Sequence, residues 1–252
     1  MPKSGNRSPR RTNFHHPALA EQSLSTEAPA EDSISWRLWT ACADLAQRGL
    51  ETDYIQGIAH GSLHPNDYGR YTVQDAAYCA HAAADYQTIE KRALAAGEDR
   101  LAAFAQARYA GYQAYDQQVF EQWHLRGGDA VRPSPAAQTY IDFEHRAAES
   151  LAPVYGVLAM VPCDELWPWL ATELKPSAVP TNLYSFWIEE NADWHGAYRL
   201  DNSLDAWFAD HPDVFDWDTA LWVMRSGMTC EVNLFRSACG QSLVEMPKRP
   251  SS

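Results

Sequence analysis

The chain has 252 residues, of which 46% are hydrophobic and 12% aromatic, and it carries a formal net charge of −13. Ten tryptophans and twelve tyrosines exclude a disordered or fibrous chain, and the length allows one large domain or two small ones. An acidic surface repels phosphate backbones and anionic lipids, so nucleic acid and membrane surfaces are poor partners, whereas a neutral or cationic small molecule suits it.

Residues 1–32 read as a disordered tail, rich in Ser, Pro, Asn and Arg, with a small basic cluster at Lys3, Arg7, Arg10 and Arg11; a solvated extension is expected there. A helical domain is expected over 33–242, followed by a C-terminal tail over 243–252. From Ile34, the residues Trp36, Leu38, Trp39, Cys42, Leu45 and Ala46 recur at spacings of three and four and mark an amphipathic stripe. A loop is predicted around Gly57–Asn66. Asn66 or Asp67 can cap the next helix, which carries Tyr71, Asp75 and Tyr78 and runs to about Ala95, with Gly97 as its stop. A helix over 99–124 should close at the turn Arg126-Gly127-Gly128-Asp129. Ser134-Pro135 starts another, reaching about Ser150.

Leu151–Leu170 is again helical in pattern, with Pro162 inside it or at its start. Pro176–Pro180 reads as a linker. Leu183–Tyr198 reads as one helix, Ser203–Ala209 as a short one and Asp216–Gln241 as the last long one. Val, Ile and Thr do not gather in alternating runs, so no sheet is expected. The fold class is all-α, with more helices than a simple four-helix bundle holds.

Several positions carry chemistry. Tyr71, Asp75 and Tyr78 share one helix face, and an acid buried there needs partners or a raised pKa; a surface aspartate is the plain alternative. Cys163 follows Pro162. If the proline opens a helical turn, the helix dipole favours the thiolate; if it sits mid-helix, it makes a kink beside an inert thiol. Met224, Met228, Glu231 and Phe235 share a stripe, so Glu231 either snorkels or is a buried acid suited to proton transfer. Trp187, Glu190, Asn191 and Trp194 share a face that can wall a flat ligand or simply pack the core.

The five cysteines (Cys42, Cys79, Cys163, Cys230, Cys239) contain no CxxC pair, so neither a disulfide framework nor a structural zinc site is expected. Histidines are scattered, and Glu144 and His145, as sequence neighbours, point to different faces, so no metal site is expected. The chain has no P-loop and no GxSxG elbow. With no apolar run of membrane-spanning length and no signal-peptide core, the expected compartment is a reducing cytoplasm.

The stretch Gln56-Gly57-Ile58-Ala59-His60-Gly61-Ser62-Leu63, followed by Tyr71-Thr72-Val73-Gln74-Asp75-Ala76-Ala77-Tyr78, resembles the TenA (thiaminase II) family. So do Pro133-Ser134-Pro135-Ala136-Ala137-Gln138-Thr139-Tyr140 and Leu158-Ala159-Met160-Val161-Pro162-Cys163, with fainter similarity through Trp187-Ile188 to Glu231. The resemblance spans roughly residues 35–240. It implies a heme-oxygenase-like multi-helix bundle, assembled as a homo-oligomer (dimer or tetramer). It also implies a cofactor-free hydrolase that cleaves the exocyclic C–N bond of thiamin or an aminopyrimidine breakdown product and releases hydroxymethyl pyrimidine.

On matching positions Cys163 would be the nucleophile, Asp75 would bind the pyrimidine amino group and ring nitrogen, and Glu231 would be the acid at the leaving group. Tyr71, Tyr78, Tyr140, Trp167, Asn191 and Leu234 would line the substrate pocket. The chain departs from the family pattern at Thr52-Asp53, at Cys79 and over Asp164-Glu165-Leu166-Trp167-Pro168. It also has Asn191 where a pocket tyrosine is common and Leu234 where a stacking ring is common. These changes alter the aromatic cage, so a remodelled pocket for another heterocycle is one alternative. An oxygenase on the same helical fold and a non-catalytic ligand sensor are the others.

Overall fold

A computed structural model describes residues 25–123 and 131–250. Ten α-helices lie among them: α1 (Ile34–Thr40), α2 (Ala43–Leu50), α3 (Asp53–Ala59), α4 (Pro65–Ala96), α5 (Asp99–Trp123), α6 (Pro135–Ser150), α7 (Pro153–Glu173), α8 (Ser185–Asn191), α9 (His195–Asp210) and α10 (Trp217–Ala238). There is no strand among the described residues, in line with the absence of alternating β-branched runs. None of these helices is long and apolar enough to cross a membrane. The basic cluster of the N-terminal tail and the Arg126–Asp129 turn lie outside the described residues.

The core is built around α7, whose residues from Val154 to Val161 are buried on every face. Helices α4, α6 and α10 pack directly on it, α9 closes another side, and α5 pairs along α4. A helix apolar all round can only be stable when neighbours cover every face, so α7 sits where the others meet. It runs unbroken through Pro162 and Pro168, each of which removes one backbone donor from the ladder. At Pro162 the neighbouring helix comes very close. A Cβ on Gly227 of α10 would stand 2.6 Å from Pro162 Cγ and 3.1 Å from the Ala159 carbonyl oxygen.

Local signals fix most helix ends. Ser134 Oγ accepts from Ala137 N at 3.2 Å with Pro135 at the first turn. Gly97 closes α4 at φ +78°, and Asp216 caps α10 by accepting from Thr219 N at 2.7 Å. Three expectations are corrected. The start of α4 is capped by His64, whose Nδ1 accepts from Asn66 N at 3.2 Å, not by Asn66 or Asp67; Pro65 fits the first helical position, where no donor is needed. The predicted Gly57–Asn66 loop begins only after α3 ends at Ala59.

The predicted helix over Leu183–Tyr198 is two helices, broken at residues 192–194. Asp193 Oδ1 accepts from His195 N at 3.0 Å, a local bond that competes with helix continuation. The second piece runs to Asp210 and absorbs the short helix expected over Ser203–Ala209. The segment after residue 242 is tied along α10: Asn233 Nδ2 donates to the Val244 carbonyl at 2.9 Å, and Val244 N donates to Asn233 Oδ1 at 2.7 Å.

Candidate active site

Four helices bring the candidate side chains together. From α4 come Tyr71, Asp75 and Tyr78; from α6, Tyr140 and Glu144; from α7, Cys163 and Trp167; from α10, Glu231 and Phe235. Spacings of three and four on α4 and of four on α6, α7 and α10 keep each set on one face, and the packing of α7 against the other three turns those faces towards one another.

Glu231 is 1% exposed, so it is a buried acid and not a snorkelling one. Tyr140 Oη donates to its Oε1 at 2.9 Å and Trp167 Nε1 donates to its Oε2 at 3.4 Å, and the nearby Cys163 thiol favours the charged form of the same carboxyl. Burial, and after it the negative charge of Asp75, push Glu231 up to about 7. Asp75 is 6% exposed, and Tyr115 Oη from α5 donates to its Oδ2 at 2.9 Å. Burial lifts this carboxyl also to about 7, against the pull of the Tyr115 hydrogen bond. Two buried carboxyls raised towards neutrality are the kind of pair in which one can serve as acid and the other as base.

Cys163 is half-buried. Desolvation raises its thiol well above the ordinary value, and Glu231, Asp164, Asp75 and Glu144 raise it further. Pro162 lies inside α7, so of the two placements left open by the sequence the mid-helix one holds, the N-terminus of α7 does not reach the sulfur, and the surroundings favour the neutral thiol.

The rings form a continuous wall. Tyr71 stacks on Phe235 with centroids 5.2 Å apart, lies 4.7 Å from Tyr54 and 5.8 Å from Trp167, and Trp167 lies 5.6 Å from Trp187. Tyr71 Oη is buried without a hydrogen-bond partner among the described residues. Tyr78 and Tyr140 stack at 4.4 Å, and Tyr78 Oη donates to Glu144 Oε1 at 2.9 Å.

Two expected pocket residues are placed otherwise. Asn191 turns back on its own helix, its Nδ2 donating to the Trp187 carbonyl at 2.8 Å. Leu234 is a core residue; the ring at that end of α10 belongs to Phe235. Nor do Trp187 and Trp194 form one wall. The break after α8 sends Trp194 to the Trp39 ring, 6.4 Å away, and its Nε1 to Thr172 Oγ1 at 3.1 Å.

Sequence reading missed Tyr115, Glu144 and the rings of Tyr54 and Phe235 as neighbours of this site. Glu144, four residues after Tyr140, had a usable signal in that spacing; Tyr115, on the Ala- and Gln-rich α5, had none. A cavity lined by Ile34, Leu38, Val161, Asp201 and Phe208, among others, includes none of the candidate residues. Among the described residues, no three His, Cys, Asp or Glu side chains gather as a metal-ligating group.

No protein-family model matches the chain. It is 26% identical over 188 residues to the thiamine biosynthesis multifunctional protein ThiED of Corynebacterium efficiens, a match that covers 75% of this chain and 24% of that protein. It is 24% identical over 163 residues to the aminopyrimidine aminohydrolase of Bacillus subtilis, covering 62% of this chain and 67% of the relative. The chain therefore spans only about a quarter of the first of these relatives.

Its fold superposes on a TenA homologue from P. horikoshii with a TM-score of 0.68 at 17% identity, covering 82% of this chain and 98% of that one. A TenA family transcription regulator from Silicibacter sp. gives 0.69 at 15% identity over 82% and 96%. The resemblance to the TenA family thus holds in sequence and in fold, and the fold is the all-α, heme-oxygenase-like bundle.

Proposed function

We propose that this chain is a TenA-type hydrolase that cleaves the exocyclic C–N bond of thiamin or an aminopyrimidine breakdown product through an adduct on Cys163, releasing hydroxymethyl pyrimidine. The observation that carries the reading is a pair of buried carboxyls on facing helices, Glu231 held by Tyr140 and Trp167 and Asp75 held by Tyr115, with the Cys163 thiol close enough to Glu231 to affect its charge. Similarity to an aminopyrimidine aminohydrolase supports the substrate class.

In this reading a planar ring lies against the wall that includes Tyr71, Trp167 and Phe235. Asp75, held by Tyr115, accepts from the amino group, and Tyr71 Oη offers a further donor. As sulfur bonds to an electron-poor ring carbon, its proton passes to Glu231. The electron pair gained by the ring then expels the exocyclic nitrogen with the C–N bond pair; an amine leaves with the proton that Glu231 returns. Water adds at the exposed exocyclic carbon and gives a proton to Glu231. The C–S bond breaks, and sulfur takes that proton back, which restores the thiol. For an amine substrate the net change is replacement of amine by hydroxyl, with no oxidant or reductant; from thiamin the thiazole leaves as a neutral base with the C–N pair, and the first proton on Glu231 passes to water.

A homo-oligomer is part of the same reading, and sedimentation would show it. The turn of Asn191 onto its own helix and the aliphatic Leu234 favour a second reading, the same chemistry on another heterocycle, which a panel of aminopyrimidines and related rings separates from the first.

The experiment is incubation with thiamin and with the aminomethyl pyrimidine, following hydroxymethyl pyrimidine by chromatography. Wild type forms the product from at least one of them, and Cys163→Ser does not. Product formation by the serine variant at an undiminished rate would remove the nucleophile role, and folded wild type inert on both would remove the substrate.

A further inference from the structure

Glu144 is the most deeply buried carboxyl near the site that the reaction above leaves unused. It is 1% exposed, on α6, one turn beyond Tyr140. Its Oε1 accepts from Tyr78 Oη at 2.9 Å, while its Oε2 has no partner among the described residues. Tyr78 in turn stacks on Tyr140 at 4.4 Å, and Tyr140 Oη donates to Glu231 Oε1 at 2.9 Å. The chain of contacts therefore runs from Glu144 through two stacked phenols to the carboxyl that receives the Cys163 thiol.

We propose that Glu144 is a positioning residue of this site: it anchors Tyr78, and through the stacked pair it keeps the Tyr140 hydroxyl on Glu231, which sets the proton affinity of the Cys163–Glu231 couple. The inference rests on the reading of Glu231 as proton carrier for Cys163. The geometry has an alternative to hold off. A phenol stacked between two carboxyls can donate to either one, and the Tyr140 hydroxyl also lies within reach of Glu144. With the Tyr78 proton already on Glu144 Oε1, the Tyr140 proton is left for Glu231. Remove the anchor, and Tyr78 must find another acceptor; Glu231 is the next carboxyl along the stack.

Glu144 itself is pushed towards its neutral form in this arrangement. Burial raises its carboxyl well above the ordinary value, and the nearby Asp85 and Glu231 carboxyls add to this, against the pull of the phenol hydrogen bonds. A neutral acceptor of the same shape should therefore serve as well. Glu144→Gln keeps a carbonyl oxygen for Tyr78, whereas Glu144→Leu keeps the volume and removes the acceptor.

The test reads the Cys163 thiol directly, by the rate of its alkylation with iodoacetamide from pH 5 to 9, and in parallel the turnover of the aminomethyl pyrimidine. In wild type, the alkylation profile bends near the Glu231 pKa of about 7. Glu144→Gln keeps this bend and the wild-type turnover. Glu144→Leu moves the bend downwards, because the released Tyr78 hydroxyl becomes a further donor to Glu231 and favours its charged form. Turnover of that variant falls about ten- to a hundred-fold, the usual worth of a hydrogen bond to a charged group, chiefly in kcat.

Should Glu144→Leu fail to fold, as read by circular dichroism, Tyr78→Phe breaks the same anchor from its other end and keeps the ring stack; it frees Glu144 to take the Tyr140 hydroxyl from Glu231 and must move the bend upwards. An unmoved bend in the folded anchor variant overturns the proposal, as does a Glu144→Gln protein as impaired as Glu144→Leu. The alkylation readout needs no substrate, so a wild type inert on aminopyrimidines would sink the substrate assignment without touching this one.

Discussion

Replacement of Gly227 by alanine tests whether the approach of α10 to α7 sets both the stability of the bundle and the geometry of its site. The added Cβ would stand 2.6 Å from Pro162 Cγ, where ordinary contact begins at 3.4 Å, so the helices are too close by about 0.8 Å. The atom it meets belongs to a rigid ring, and the next, the Ala159 carbonyl oxygen at 3.1 Å, belongs to backbone; neither can swing aside. Overpacking of this kind costs about 1–3 kcal/mol, and the rigid partners place this case near the top of that range. Alanine recovers about 1 kcal/mol of helix propensity over glycine, which leaves a net loss of about 2 kcal/mol.

Urea unfolding should show a midpoint lowered by about 0.5–1 M at an unchanged slope. Because Glu231 lies one turn beyond Gly227 and Cys163 directly follows Pro162, the same displacement moves the thiol away from the carboxyl, and alkylation of Cys163 should lose its bend near pH 7. Gly196 in α9 is the control. A Cβ there meets nothing within 4 Å, and its alanine variant should be neutral or slightly more stable. A Gly227→Ala protein as stable as wild type, with the alkylation profile intact, would refute the argument that this contact is close and rigid.

Two further outcomes are expected. Asp75→Asn removes the negative charge that, after burial, raises Glu231 most; the bend in the Cys163 alkylation profile should move to lower pH, and a bend that stays or rises contradicts the coupling of the two acids. The second concerns Glu165 and Asp201, a buried carboxyl pair between α7 and α9. Burial raises both, Asp201 to about 8 from 3.8. A folded pKa above the unfolded one means stability that is complete below about pH 4 and is lost as pH rises through about 8. Asp201→Asn stays neutral throughout, so its melting temperature should fall less than that of wild type between pH 6 and 9; equal slopes would show that the pair does not titrate in this window.

Much of the scaffold was legible in the sequence, because helix ends are set by neighbours in the chain. Ser134-Pro135, Gly97 and Asp216 each act on backbone groups within a turn of themselves, and their effect survives any tertiary arrangement. Patterning likewise set Asp75 and Glu231 on shared faces with aromatic or apolar residues but left open whether they are buried, and the motif resemblance joined them to Cys163. Reading by periodicity failed where a side chain competes with the ladder. Asp193 breaks a run that looks continuous, and with that break the expected wall of Trp187 and Trp194 comes apart.

The charge states were not legible. The sequence left open whether Pro162 begins a helix or lies within one, and that choice decides between a thiolate favoured by a helix end and a thiol that depends on Glu231 for its proton. Packing against α7 places the sulfur among Glu231, Asp164, Asp75 and Glu144, residues spread over four helices and up to 156 positions apart (75 to 231). Electrostatic energy depends on distance through space and on exclusion of water, and neither has a local trace in the chain. So the residue types and helix faces were fixed by local order along the polypeptide. The proton affinities of the carboxyls, the partner of the thiol, and the presence of Tyr115 and Glu144 beside them were decided only when the helices closed on one another.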